Sequence, residues 1–242
     1  MKHLYLFVAI AALLASSCNI INMQRIKGNG HINTKTYDLQ NFNAIDAGGN
    51  VHVYLKQDSV YSVKLQTDEN LFKYITIKKD DGNTVDIQTR NGYNLSPTDK
   101  IKVFISMPEV RDIDLSGATK IETEGKFVQN SKVSFDISGA SHGEVEIKSP
   151  EVHFGASGAS SFIISGETRD AFFEASGAST IKAFDLLAEN SRVGVSGASN
   201  ANVYASIELN AEASGASNVR YKGNPKTSIS SSGASSVKKV DE

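Results

Sequence analysis

From about residue 111 onward, apolar and polar side chains alternate in short runs. Ile113/Leu115, Phe135/Ile137, Phe154/Ala156, Phe173/Ala175, Val193/Val195 and Ala211/Ala213 are apolar pairs. The residue inside each pair is polar or glycine: Asp114, Asp136, Gly155, Glu174, Gly194 and Glu212. Period-two alternation of this kind predicts strands with one face in a core and one in solvent. Each run ends in Ser-Gly-Ala followed by serine, or by Thr119 in the first copy. A second short alternating run follows, as in Val145/Ile147, Phe162/Ile164, Ile181/Ala183 and Val219/Tyr221, and then a variable polar stretch.

The seven copies begin at Ser116-Gly117, Ser138-Gly139, Ser157-Gly158, Ser176-Gly177, Ser196-Gly197, Ser214-Gly215 and Ser232-Gly233, 18 to 22 residues apart. A fixed tetrad at that interval marks a solenoid in which each repeat is one coil. The predicted fold is therefore all-β: a parallel β-helix of about seven coils, stacked about 4.8 Å apart over roughly 30 Å. In the tetrad, glycine is expected to take positive φ or let backbones cross closely. Alanine is expected to fill an interior corner, and the serines to bond from rung to rung or cap the turn. The ladder reads as scaffold.

Residues 37–110 are β-rich but irregular, with runs Val51–Lys56, Tyr61–Thr67, Tyr74–Lys78, Val85–Thr89 and Ile101–Ser106, and a hairpin signal at Asp81-Gly82-Asn83. FNAIDAGGN reads as a degenerate first rung, with Ala47-Gly48-Gly49-Asn50 in place of the tetrad. Residues 57–108 are then either inserted or continue as larger rungs. The segment, carrying Tyr54, Tyr61, Phe72, Tyr74, Tyr93 and Phe104, is expected to cap the solenoid, because open strand edges template aggregation. Lys238 and Lys239 would discourage stacking at the other end.

At the N-terminus, Lys2 and His3 precede an 11-residue apolar run, Leu4–Leu14, and then Ala15-Ser16-Ser17-Cys18. That run is too short to span a bilayer at about 1.5 Å per helical residue. It reads as a secretory signal over residues 1–18. Small residues before a cysteine resemble a relaxed lipobox, with Ala15 where leucine is usual; an ordinary signal with an incidental cysteine is the plainer alternative. Cys18 is the only cysteine in the chain, so no internal disulfide is possible and an anchoring role is expected. Residues 19–36 are expected to tether the domain, with 37–110 as its entry segment and 111–242 as its coils.

Net charge is −2 and the charges are mixed, which argues against nucleic-acid binding. A hydrophobic content of 40% with four prolines fits a folded chain rather than a disordered stalk.

A lipoprotein-like leader, a β-rich segment ending in KVFISMPEVRDIDLSGA and repeated SGAS rungs resemble the auto-transporter adhesin head, or GIN-domain, family of bacterial envelope proteins. The resemblance covers about residues 40–240. It implies a right-handed coil and an adhesive role, and it brings no catalytic residues.

Candidate chemistry is sparse. Asp114 and Asp136 should sit on adjacent rungs, with Glu174 and Glu212 further along one outward column. Paired acids could share a proton or hold Ca²⁺, but Gly155 and Gly194 interrupt the column, Ser230 ends it, and no cation recurs beside it. Solvated acids are the simpler reading, and no metal or other cofactor is expected. His142 and His153 are 11 residues apart and should face different sides. No GxSxG elbow is present. There is no Trp, and an aromatic binding surface would be expected only near Tyr93.

These features predict a non-enzymatic, lipid-anchored envelope protein, of the outer membrane, presenting a β-helix face to an envelope protein or a glycan. Its membrane contact would be made through Cys18. A β-helix protein that binds or cleaves polysaccharide with stacked carboxylates is the alternative.

Overall fold

A computed structural model describes residues 23–241. The signal segment, Cys18 and residues 19–22 lie outside the described residues. The fold is all-β, a solenoid of stacked parallel strands with about six turns. Seven tetrads were expected to mean about seven coils, but seven corners enclose only six complete turns between them.

In-register parallel pairing carries the stack. Residues 142–156 pair with 161–175, and those with 180–195. Each of these strands starts after one tetrad and runs on, bending, to the next tetrad, so the second corner of the coil is made within the strand. The period-two reading holds throughout: Ile113, Phe135, Phe154, Phe173, Val193 and Ala211 are all buried in one column. Phe135, Phe154 and Phe173 stack nearly parallel, with centroids 5.0 and 5.9 Å apart. Phe162 meets Phe154 edge-on at 5.4 Å, in space left by the missing side chain of Gly143. A narrow coil is thus filled by rings at its middle rungs and by Val and Ala at the later ones.

The tetrad corner differs from the expectation in one respect. Glycine behaves as expected: φ is +71 to +77° at all seven repeats. A Cβ on Gly158 would also lie 2.6 Å from the carbonyl oxygen of Gly139 on the rung before. That carbonyl accepts the Ala159 N–H at 2.8 Å, and the same bond recurs at every rung from Ala118 to Ala234. The tetrad alanines, however, are exposed rather than interior. The buried position is the fourth one, held by Thr119, Ser141, Ser160, Ser179, Ser199 and Ser217. Ser179 Oγ donates to Ser176 O at 2.8 Å, within its own turn, and lies 3.0 Å from Ala156 O on the preceding rung. A small hydroxyl can face inward because it satisfies itself on the turn carbonyl, whereas the alanine methyl sits where the chain swings outward.

The entry segment is a cap built out of chain order. Residues Ala44–Ala47 pair with Asp112–Leu115, placing Asp46 beside Asp114 and Ala47 beside Leu115. The tetrad equivalent therefore starts at Gly48, one residue later than the alignment on Ala47: Gly49, with φ +101°, lies under Gly117. Residues 57–108 are an insertion that folds back beneath this first rung. Thr84–Thr89 and Ile101–Met107 pair in parallel with 44–47 and 51–57. Strands Ile75–Lys79 and Ser62–Asp68 then run antiparallel to them and end the parallel stack.

The tether expected over residues 19–36 gives way to structure from residue 24. Gln24–Lys27 pairs with Tyr93–Ser96, and Ile32–Tyr37 pairs antiparallel with Ser62–Asp68. Asp68, fully buried, fixes this layer. It accepts hydrogen bonds from Gly30 N–H at 2.7 Å, Thr98 N–H at 2.9 Å and Thr98 Oγ1–H at 2.7 Å. Burial by itself would raise its pKa, but these donors hold the carboxyl below the ordinary value.

Candidate functional site

The outward residue before each tetrad falls into a single column. The register reads Asp86, Asp46, Asp114, Asp136, Gly155, Glu174, Gly194, Glu212, Ser230. The side chains from Asp46 onward, with the first serine of each tetrad, line a groove of about 730 Å³ along the corner. From Asp46 to Ser230 it runs about 34 Å at a strand spacing of about 4.8 Å. Its lining holds five carboxylates and no Lys or Arg.

Stacking acids in register has an electrostatic cost. Burial raises the pKa of Asp114, and the neighbouring carboxylates Asp136, Asp46 and Asp112 push it further up. Asp46 is raised in the same way, by burial first and then by Asp86 and Asp80. Local donors relieve part of this repulsion. Gln88 Nε2 donates to Asp46 at 3.3 Å, and Ser134 Oγ donates to Asp136 at 3.1 Å. Lys78 lies 3.4 Å from Asp86.

The two glycines that interrupt the column do different things. The Asp136 carboxylate leans into the space where a Gly155 side chain would stand, so Gly155 accommodates its neighbour. At Gly194 a Cβ would meet nothing within 4 Å, and the groove floor stays open between Glu174 and Glu212.

Asp114 and Asp136, singled out from sequence, are register neighbours in this groove. Among the described residues no group of three or more His, Cys, Asp or Glu is arranged to hold a metal ion. His142 and His153 lie near opposite ends of one long strand, His142–Ala156: His142 Nδ1 is 2.7 Å from Ser161 Oγ, and His153 stacks on Phe172 at 4.3 Å. Tyr93 is half-buried against Tyr74, 4.7 Å away, in the ribbon with residues 24–27.

Asp46 and Asp86 were missed in the sequence reading. Asp46 was visible in FNAIDAGGN, where it matches Asp114 once Ile45 and Ala47 are set facing inward. Asp86 joins the column only because a later segment packs beneath an earlier one, which no local pattern announces.

A second groove of about 580 Å³ runs along another corner, lined by Val128, Lys148, Glu167, Leu187 and Tyr204 among others. Val128 and Leu187 are exposed there. No helix among the described residues is long and apolar enough to cross a membrane.

Solved structures share this architecture. The crystal structure of a putative adhesin from Bacteroides fragilis matches with a TM-score of 0.82 at 20% identity, covering 89% of this chain and 100% of that one. That of a putative lipid binding protein from Parabacteroides distasonis matches with a TM-score of 0.76 at 22% identity, covering 90% and 100%. A putative adhesin from Parabacteroides merdae gives 0.69 at 21% identity, covering 90% and 100%. At these identities the likeness is one of fold. No curated protein matches the chain. The model of the family described as "Putative auto-transporter adhesin, head GIN domain" matches residues 41–225, the whole stack from its first rung to the penultimate corner, and the chain belongs to that family.

Proposed function

We propose that the protein is a non-enzymatic binding protein of the cell envelope, held to the outer membrane through a lipidated Cys18. The corner groove is its binding surface. The observation that carries this reading is the groove itself: a long, regular channel with a hydroxyl on nearly every rung and carboxylates as its only charges. Such a lining suits an extended ligand that is cationic or neutral and rich in hydrogen-bonding groups, such as a basic segment of an envelope protein or an uncharged glycan chain. An anionic polysaccharide would meet like charge along the whole channel and no Lys or Arg to offset it.

The test is retention of immobilised glycans and of envelope proteins by the wild type and by an Asp114→Asn, Asp136→Asn, Glu174→Gln variant. The reading expects wild-type retention that the variant loses by about tenfold or more, with no new reducing ends released. Equal retention by both proteins removes the groove from the account. Reducing ends that appear with the wild type and vanish in Asp114→Asn would instead support polysaccharide cleavage, for which the raised pKa of Asp114 beside Asp136 would be the acid.

A further inference from the structure

Two acid-free stretches of the chain are brought together at the cap. Residues 1–37 contain no Asp or Glu but hold Arg25, Lys27 and Lys35. Residues 90–98, RNGYNLSPT, lack an acid as well. Gln24–Lys27 pairs in parallel with Tyr93–Ser96, and the pair forms a two-stranded ribbon separate from the main sheet. The ribbon stands at the cap end of the stack, on the corner side: residues 90–100 join Thr89 to Ile101, the connection that a tetrad makes in the later rungs.

Alternation decides what the ribbon shows. Ile26 and its partner Leu95 turn inward, Leu95 against the core. Met23, Arg25 and Lys27 therefore point to the outer face, and all three are exposed, Met23 by 51%. The Arg25 guanidinium donates to Ser96 Oγ at 3.0 Å, which holds it on that face. Two more exposed cations flank the ribbon. Arg90 N–H donates to Tyr74 O at 2.9 Å, and Lys73 Nζ lies over the Tyr74 ring, 5.1 Å from its centre. The cap's lysine ion pairs are made by Lys56, Lys78 and Lys102 instead. Arg25, Lys27, Lys73 and Arg90 have no carboxylate partner among the described residues, and Glu69 is turned to Asn29 and His31.

We propose that this basic face rests on an anionic bilayer and stands the stack on the membrane, cap end down. The inference depends on the lipidated Cys18 of the reading above. Met23 follows Cys18 by five residues, which span at most about 18 Å. The anchor therefore delivers the ribbon to the headgroups, where cations are attracted within a Debye length of about 8–10 Å.

Charge complementarity selects the same orientation. The groove starts at Asp46 on the first rung, and its only charges are carboxylates, which an anionic surface repels. Docking the ribbon face leaves the groove running away from the lipid, open to a ligand arriving from solvent. Acyl chains on Cys18 would hold the protein to a membrane without orienting it; the basic face supplies the orientation.

Vesicle partitioning tests this surface without an acyl chain, using the mature chain, residues 18–242, with Cys18→Ser. Binding is expected on vesicles of phosphatidylglycerol and phosphatidylcholine in equal parts at low salt. It should be lost at high salt and on phosphatidylcholine alone. Arg25→Gln with Lys27→Gln should weaken it by about tenfold or more, at about fivefold per cation. Lys238→Gln with Lys239→Gln, at the far end, should leave it unchanged. A fluorophore on Met23→Cys, the only thiol in that background, should be quenched by a lipid-borne quencher, and one on Ser232→Cys should not. Equal binding to neutral and anionic vesicles, equal binding by the two double variants, or equal quenching at 23 and 232 would overturn the proposal. Mass spectrometry of the protein from cell envelopes reads the anchor separately. An acylated Cys18 without vesicle binding would overturn the basic face and keep the anchor, and an unmodified Cys18 with vesicle binding would do the reverse.

Discussion

The entry segment and the repeat stack solve the same problem, pairing the polar backbone of a thin β-structure, by opposite means. In the stack the solution is repetition. One glycine carbonyl accepts one alanine N–H at every rung. An inward hydroxyl closes the turn at each rung but that of Ser141, whose Oγ is buried without a partner among the described residues. In the entry segment the solution is made once. A single buried carboxylate, Asp68, gathers donors from residues 30 and 98 and binds the N-terminal strands to the cap. Repetition makes a structure readable from its sequence, and one-off solutions hide it.

That contrast can be broken most severely in the stack. Gly158→Val combines a φ of +71° with a Cβ against the Gly139 carbonyl, and is expected to cost about 3–5 kcal/mol in chemical denaturation. Gly194→Ala, on an open floor, should stay within about 0.5 kcal/mol of wild type. Equal losses at the two sites would show that the corner geometry is not the constraint.

In the cap, Asp68→Ala leaves the Gly30 and Thr98 donors facing an empty buried site, with an expected loss of about 2–4 kcal/mol. Faster hydrogen exchange should follow in residues 24–37, with rungs beyond 133 unaffected. Ser179→Ala removes one hydroxyl from one rung and should cost about 1 kcal/mol.

Acid acts with one sign on Asp68 and His52 and with the opposite sign on the groove acids, which run on to Asp46 in the first rung. Asp68 has a folded pKa below its ordinary value, so its contribution is present above the carboxylate range and is lost as pH falls through that folded pKa. His52, 6% exposed, is held neutral chiefly by burial, so protonation below about pH 6.5 also opposes the folded entry segment. The groove acids run the other way. Asp114 and Asp46 have raised folded pKa values, so protonation as pH falls through them relieves repulsion and favours the fold. Asp114→Asn should therefore raise Tm by about 1–3 °C at pH 7, and the gain should shrink as pH approaches the carboxylate range. A gain that persists unchanged at pH 3 would rule out column repulsion as its origin.

The same contrast explains what the sequence disclosed. The alternating pairs, the positive-φ glycines and the register of Asp114 beside Asp136 were legible, because each is repeated and the register follows from aligning the tetrads. The inward turn of the fourth residue was not, since Ala and Ser are both small and only the path of the turn decides which one faces the core. Strands 24–27 and 32–37 were hidden because they are short and polar and pair with segments about 30 to 70 residues away. Asp86 was hidden by the fold-back of the insertion beneath the first rung.

The central claim is that the ladder holds the stack while the column beside it binds. Attachment of cells displaying the protein, measured together with its Tm, tests this directly. The Asp114→Asn, Asp136→Asn, Glu174→Gln variant should lose attachment while its Tm is kept or raised. Ser179→Ala should lower Tm while attachment per folded molecule stays at the wild-type level. Full attachment by the column variant, or loss of attachment in Ser179→Ala while it remains folded, would contradict the claim.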